Sequence, residues 1–207
     1  EGTATDPFVL TLSSGTVVLN IDFATGWNWF SVNSIQDDMG INSAFSGLPT
    51  QEGDFIKSQT TAAQYYEGYG WYPGFDISVE DMYLLKLFNS GSMEYEGNPA
   101  DPLQTTISLS PGWNWIGYVP QVSLGVSDAL SNSPLVANDY IKSQISASTF
   151  YDGYGFYPGF DMMPTSGYML KVANGGDLIY PSGSLGLVNL SQNNENFYRN
   201  YEFNGTI

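Results

Sequence analysis

A chain of 207 residues with 21 acidic and 5 basic side chains carries a formal charge of −16. It lacks the lysine and arginine clusters that displace counterions from phosphate backbones, so nucleic acid is excluded as a partner. With no histidine and no cysteine it also lacks an imidazole base, a disulfide framework and a thiolate metal site. A hydrophobic content of 42% against 13% charged residues places it among folded chains rather than disordered acidic ones. No stretch approaches the roughly 18 apolar residues of a membrane-spanning helix.

Residues 1–15 contain Phe8-Val9-Leu10-Thr11-Leu12, an apolar run of strand length flanked by Asp6-Pro7 and Ser13-Ser14-Gly15. Val17, Leu19, Ile21 and Phe23 then alternate with polar residues and predict a half-buried strand. Gly26-Trp27-Asn28-Trp29 predicts a second strand, with both tryptophans on one face as a hydrophobic anchor and Asn28 on the other. The spacing of Ile41, Ala44, Phe45 and Leu48 predicts a short helix that Pro49 ends. Ile56-Lys57-Ser58-Gln59 leads into an aromatic, glycine-rich stretch with a tight turn at Pro73-Gly74. Residues 83–88 predict a strand that sets Lys86 between Leu84 and Phe88 on one face.

The pattern then repeats. Gly112-Trp113-Asn114-Trp115 follows its counterpart at an offset of 86 residues, Asp139 follows Asp54 at 85, and residues 141–161 match 56–76 at 14 of 21 positions. Val126, Ala129 and Leu130, stopped by Pro134, match the helix. The chain therefore divides into an N-terminal extension (1–15), repeat module 1 (16–98), repeat module 2 (103–183) and a C-terminal extension (184–207). Gly97-Asn98-Pro99-Ala100-Asp101-Pro102 reads as a stiff connector. The expected fold is mainly β: two tandem, pseudo-symmetric small antiparallel modules, sandwich or barrel-like, each with one short helix and its own core. The C-terminal extension holds the apolar run 185–190, a polar spacer and an aromatic tail at 197–203.

Four of the five cations, Lys57, Lys86, Lys142 and Lys171, sit at repeated addresses. Their expected partners are the acids kept in both repeats: Asp54, Glu67 and Asp76, and Asp139, Asp152 and Asp161. Catalysis is not expected, because a glycosidase-type carboxylate pair needs two different environments and duplication supplies near-identical ones. No cofactor is expected. Calcium is the one cation the acidity would suit, at Asp37-Asp38, Glu80-Asp81 or Glu94/Glu96, but the chain has no Asp-x-Asp-x-Asp-Gly loop. The repeated aromatic stretch has two readings. Core packing is favoured; the alternative is a glycan platform formed by Tyr69, Trp71, Tyr72 and Asp76 and again by Tyr154, Phe156, Tyr157 and Asp161. Asn189 and Asn204 begin glycosylation sequons.

The ordered set of Gly-Trp-Asn-Trp, Ile-Lys-Ser-Gln, Gly-Tyr-Gly-Trp/Phe and Gly167-Tyr168-Met169-Leu170-Lys171 resembles tandem repeat modules of secreted and surface proteins of environmental bacteria, Bacteroidota among them. The resemblance covers about residues 19–95 and 105–180. Copy 1 departs from it, with Ser31 where copy 2 has Gly117 and Met82 where copy 2 has Gly167. It implies an extracellular or cell-surface setting, with which a start at Glu1 after removal of a leader agrees. The expected function is that of a non-enzymatic structural protein that self-assembles. Its linking residues would be Phe8, Leu10 and Leu12 at one end and Phe197, Arg199, Tyr201 and Phe203 at the other, acting by strand addition. The alternative is a carbohydrate-binding adhesin with two equivalent aromatic sites.

Overall fold

The computed structural model describes residues 15–182. The linking residues Phe8, Leu10, Leu12, Phe197, Arg199, Tyr201 and Phe203 lie outside them, as do the run 185–190 and both sequons.

The first repeat contains β1 (Val17–Phe23), β2 (Gly26–Phe30), β3 (Ser34–Ile35), α1 (Ile41–Ala44), β4 (Phe55–Lys57), β5 (Ala62–Tyr66), β6 (Gly70–Tyr72), β7 (Tyr83–Leu87) and β8 (Gly91–Pro99). The second contains β9 (Thr106–Leu109), β10 (Gly112–Ile116), β11 (Leu124–Gly125), α2 (Val126–Ala129), β12 (Tyr140–Lys142), β13 (Ala147–Tyr151), β14 (Gly155–Tyr157), β15 (Asp161–Met162), β16 (Tyr168–Val172) and β17 (Gly176–Ile179). The fold is mainly β and the strand pairs are antiparallel.

Each repeat builds one five-stranded sheet, ordered β2-β7-β4-β5-β6 and β10-β16-β12-β13-β14. Registers correspond across the two: Trp27 faces Lys86 as Trp113 faces Lys171, and Tyr65 faces Trp71 as Phe150 faces Phe156. The flanking strands make smaller sheets, β1-β8-β3 and β17-β9. The two short helices fall where the spacing predicted. Each is a single turn whose inward residues, Ile41 and Ala44 or Val126 and Ala129, are buried.

Two expectations are corrected here. The connector is not a free spacer: residues 97–99 belong to β8, Asn98 and Pro99 pair with Ile35 and Ser34, and Ala100 is buried with its N–H on the Asn33 carbonyl at 2.9 Å. Nor does each repeat keep a core to itself. One cluster of buried side chains runs from Leu19, Ile21 and Phe23 to Leu170, Val172 and Leu178, because residues at the contact between repeats, such as Phe30, Ile116 and Tyr118, have no exposed surface left to separate two cores.

The faces of β2 and β10 are also the reverse of those expected. Asn28 and Asn114 are the buried residues, while Trp27 and Trp113 are 43% and 40% exposed. The amide explains the choice, since its polar atoms are all met by backbone. Asn28 Oδ1 accepts from Ala24 N–H at 2.8 Å, and its Nδ2 donates to the carbonyls of Ala24 (2.8 Å), Gly26 (3.1 Å) and Leu85 (3.4 Å). Asn114 repeats this with Ser110, Gly112 and Leu170. Gly26 and Gly112, at φ +92° and +100°, supply the left-handed entry that lets the chain turn onto the asparagine.

Candidate functional site

The two tryptophan faces meet at a joint between the repeats. A second, small cluster of Met82, Leu84 and Met169, packed against Trp29 and Trp115, fills its centre. Lys57 Nζ lies 5.8 Å from the ring centre of Trp27 in its own repeat and 5.4 Å from Trp115 in the other. Lys142 Nζ lies 4.9 Å from Trp113 and 5.4 Å from Trp29. Each lysine thus bridges one tryptophan from each repeat, and such contacts contribute roughly 0.5–2 kcal/mol apiece. Lys86 likewise lies over Trp27 and Phe88, at 6.0 and 5.8 Å.

For Lys57, Lys86 and Lys142, ring faces therefore stand where carboxylate struts were expected. The buried acids serve the backbone instead. Asp54 accepts N–H groups from Gln51 and Phe88, both at 2.9 Å, and Asp139 accepts those of Val136 and Ala173, at 2.9 and 2.8 Å. A carboxylate with amide donors on both oxygens is already stabilised and has little to gain from a cation that must leave water.

Ile-Lys-Ser-Gln now reads residue by residue. Ile56 and Ile141 are core; the lysines bridge. Ser58 organises the turn, its N–H donating to the Thr61 carbonyl and its Oγ accepting from Thr60 and Thr61 N–H. That turn carries Gln59 to the other repeat, where Oε1 accepts from Trp115 N–H at 2.8 Å and Nε2 donates to the Trp113 carbonyl at 2.9 Å. Gln144 does the same for Trp29 N–H and the Trp27 carbonyl. The primary amide copies a neighbouring strand and closes the outer edges of β2 and β10. Replacing Gln144 with alanine leaves that donor and acceptor without protein partners; an expected loss of about 1–2 kcal/mol is measurable by urea unfolding, with increased association through the opened edge seen by light scattering.

The opposite edges of these sheets are closed as well. Asn42 Oδ1 accepts from Trp71 N–H at 2.7 Å and its Nδ2 donates to the Trp71 carbonyl at 3.1 Å; Ser127 Oγ accepts from Phe156 N–H at 2.9 Å. By contrast, among the described residues the outward backbone groups of β1 and of the β9–β17 pair have no such side-chain cap.

The glycan-platform residues separate into two groups. Trp71 and Phe156, at 2% and 4% exposure, are core residues and are withdrawn from that surface: they lie under the hairpins and pack edge-on to Tyr65 and Phe150. Tyr69, Tyr72, Tyr154 and Tyr157 are exposed, as are Asp76 and Asp161. No group of three or more carboxylates that could hold a metal ion occurs among the described residues, Asp37-Asp38, Glu80-Asp81 and Glu94/Glu96 included.

Direct backbone contacts complete the joint. Gly117 N–H donates to the Glu80 carbonyl at 2.7 Å, and Ser31 N–H donates to the Thr165 carbonyl at 3.1 Å. Gly117 and Gly167 have no room for a side chain. A Cβ at Gly117 would run into the Val79 carbonyl oxygen, and one at Gly167 would come within 2.8 Å of the Phe30 carbonyl oxygen and 2.9 Å of Met82 Cβ. Their counterparts are the places where copy 1 departs from copy 2. Ser31 uses its hydroxyl across the joint, donating to the Ser166 carbonyl and accepting from Tyr118 N–H, while Met82 enters the small cluster. Sequence reading saw these departures without a role for them and missed both glutamines; their identity in the two repeats was the available signal. Asp81, beside the joint, has its carboxyl pushed up by burial and then by Glu80.

No protein-family model, curated protein or solved structure matches the chain.

Proposed function

We propose that this chain is a non-enzymatic structural subunit of an extracellular or cell-surface assembly, joined to copies of itself by strand addition at its ends. The observation that carries the reading is the contrast between closed and open sheet edges. Each edge of the two five-stranded sheets carries a side-chain cap, whereas among the described residues the flanking strands nearest the chain ends do not. Unpaired strand edges template association, and folds that avoid it cover them. In sequence Phe8–Leu12 precedes β1 and the run 185–190 follows β17, so an apolar stretch of strand length comes next along the chain from each flanking sheet. A contact of this kind between different surfaces propagates into a filament when its rotation does not close into a ring.

The interior suits the role. Its buried carboxylates and bridging lysines are engaged in holding backbone and rings, and the lysine-bridged joint welds the repeats into one body. The surface setting rests on the composition and on the resemblance to secreted repeat modules. Removing residues 1–14, or replacing Arg199 with glutamate, should leave the β circular dichroism unchanged and shorten or abolish assemblies seen by negative-stain microscopy. A full-length chain that stays monomeric at every concentration, or assemblies untouched by both changes, would sink the proposal.

A further inference from the structure

We infer that each repeat carries a preformed cleft for a neutral saccharide, giving two related binding sites per chain that share the acid Asp76 or Asp161 and differ in their other polar walls. The first cleft, of about 260 Å³, is lined by Asp38, Gly40, Asn42, Gly74 and Asp76; the second, of about 390 Å³, by Gly125, Ser127, Asp128, Gly159 and Asp161. Backbone bonds lock both. Ile41 N–H donates to the Phe75 carbonyl and Val126 N–H to the Phe160 carbonyl, each at 2.9 Å, and Gly40 bridges Asp76 as Gly125 pairs with Asp161. Asn42 and Ser127 do two jobs, lining the clefts and pinning β6 and β14, so the aromatic hairpins are tied to the cleft walls.

The hairpin tied to each cleft wall, through Asn42 to Trp71 or Ser127 to Phe156, carries a pair of exposed tyrosines. Tyr69 and Tyr72 are 71% and 56% exposed, edge to face at 5.6 Å; Tyr154 and Tyr157 are 72% and 59% exposed at 6.0 Å. Packing does not account for keeping them in both repeats. Other exposed positions have drifted, Thr60 against Ile145 and Phe88 against Ala173, and even the buried Trp71 has become Phe156. Large aromatic surface left in water at the same place twice marks a contact surface.

The chemistry fits a pyranose. Its C–H face covers a phenol ring, as in other apolar contacts with aromatics, while its hydroxyls donate to carboxylates that can only accept. A Cβ at Gly40 would lie 3.0 Å from Asp38 Oδ1, which also accepts Gly40 N–H, and 3.8 Å from Asp76 Oδ1; one at Gly125 would lie 3.4 Å from Asp128 Oδ2, so carboxylate oxygens face both glycines. The chain's charge of −16 disfavours uronic or sulfated sugars and selects neutral ones.

Titration calorimetry of the full chain against neutral gluco-, manno-, galacto- and xylo-oligosaccharides should show two sites, insensitive to salt. Tyr69→Ser with Tyr72→Ser should remove one site, and adding Tyr154→Ser with Tyr157→Ser should remove both without moving the thermal midpoint. Asp76→Asn with Asp161→Asn should weaken both sites about tenfold. Three results would each overturn the inference: no oligosaccharide bound, binding that survives the four serine changes, or a site taken by an oligolysine peptide and emptied by salt.

Discussion

Gly117→Ala is expected to loosen the two repeats from one another and to cost about 3 kcal/mol or more, at the upper end for overpacking, because the atom it strikes is a backbone oxygen that cannot swing aside. The added methyl points at the Val79 carbonyl, with the Asp81 carbonyl 3.0 Å away. Relief requires moving the 79–82 segment, and with it Met82 and the donation from Gly117 N–H to Glu80. Gly167→Ala, against Phe30 and Met82, should act the same way from the other side. Gly159→Ala is the control: nothing lies within 4 Å of its added Cβ, and a change within about 0.5 kcal/mol is expected. Urea unfolding should separate the variants, and quenching of tryptophan fluorescence should report opening of the joint. Equal stabilities for the 117 and 159 variants would show that the close approach is not a tight constraint.

Raising the pH should unfold the protein between about pH 10 and 12, with a steep dependence. Tyr83, Tyr95, Tyr118, Tyr168 and Tyr180 are fully or almost fully buried. Burial is the leading cause that pushes each phenol up, Tyr95 to about 12 and the other four also above the ordinary value. Neighbouring phenols add to it: Tyr118 and Tyr180 stand 5.4 Å apart, and either ionised ring would oppose the other. Below the unfolded value near 10, folded and unfolded chains hold these protons equally and the full stability is present. Above it the unfolded chain releases protons that the folded chain keeps, so unfolding gains until the folded values are passed. Stability should fall by about 1.4 kcal/mol per pH unit for each such tyrosine, or roughly 7 kcal/mol per unit for all five. The phenolate absorbance contributed by these five rings and the β circular dichroism should therefore change together in one cooperative step. Ionisation of these five phenols with the β signal intact would contradict it.

The elements visible in the sequence were those with a clean period. Val17–Phe23 alternates, Tyr83–Leu87 is an apolar run of strand length broken only by Lys86, and the helices space their apolar residues by three and four, so local pattern was enough. The hairpins of β5–β6 and β13–β14 were read only as aromatic, glycine-rich stretches. Tyrosine counts as apolar on either face, so Ala62–Tyr72 and its counterpart show no alternation, although Trp71 is buried and Tyr72 exposed. At the candidate site the aromatic residues were found, but Trp71 and Phe156 could not be told from their exposed neighbours by type alone.

Duplication, strand character, the single-turn helices and the acidity follow from the order and kinds of residues, because each is a local or compositional property. The role of Gly-Trp-Asn-Trp did not. Period two says that tryptophan and asparagine lie on opposite faces, but not which face turns inward. That depended on Asn28 finding its backbone partners, among them Leu85 across the sheet, and on a second repeat standing ready to cover the tryptophans. Lys57, Lys86 and Lys142 likewise met rings, while the fold gave Asp54 and Asp139 to backbone amides. The closure of the sheet edges was the least visible of all: the glutamine that caps Trp29 lies 115 residues away, and only the packing of one repeat on the other brings it there.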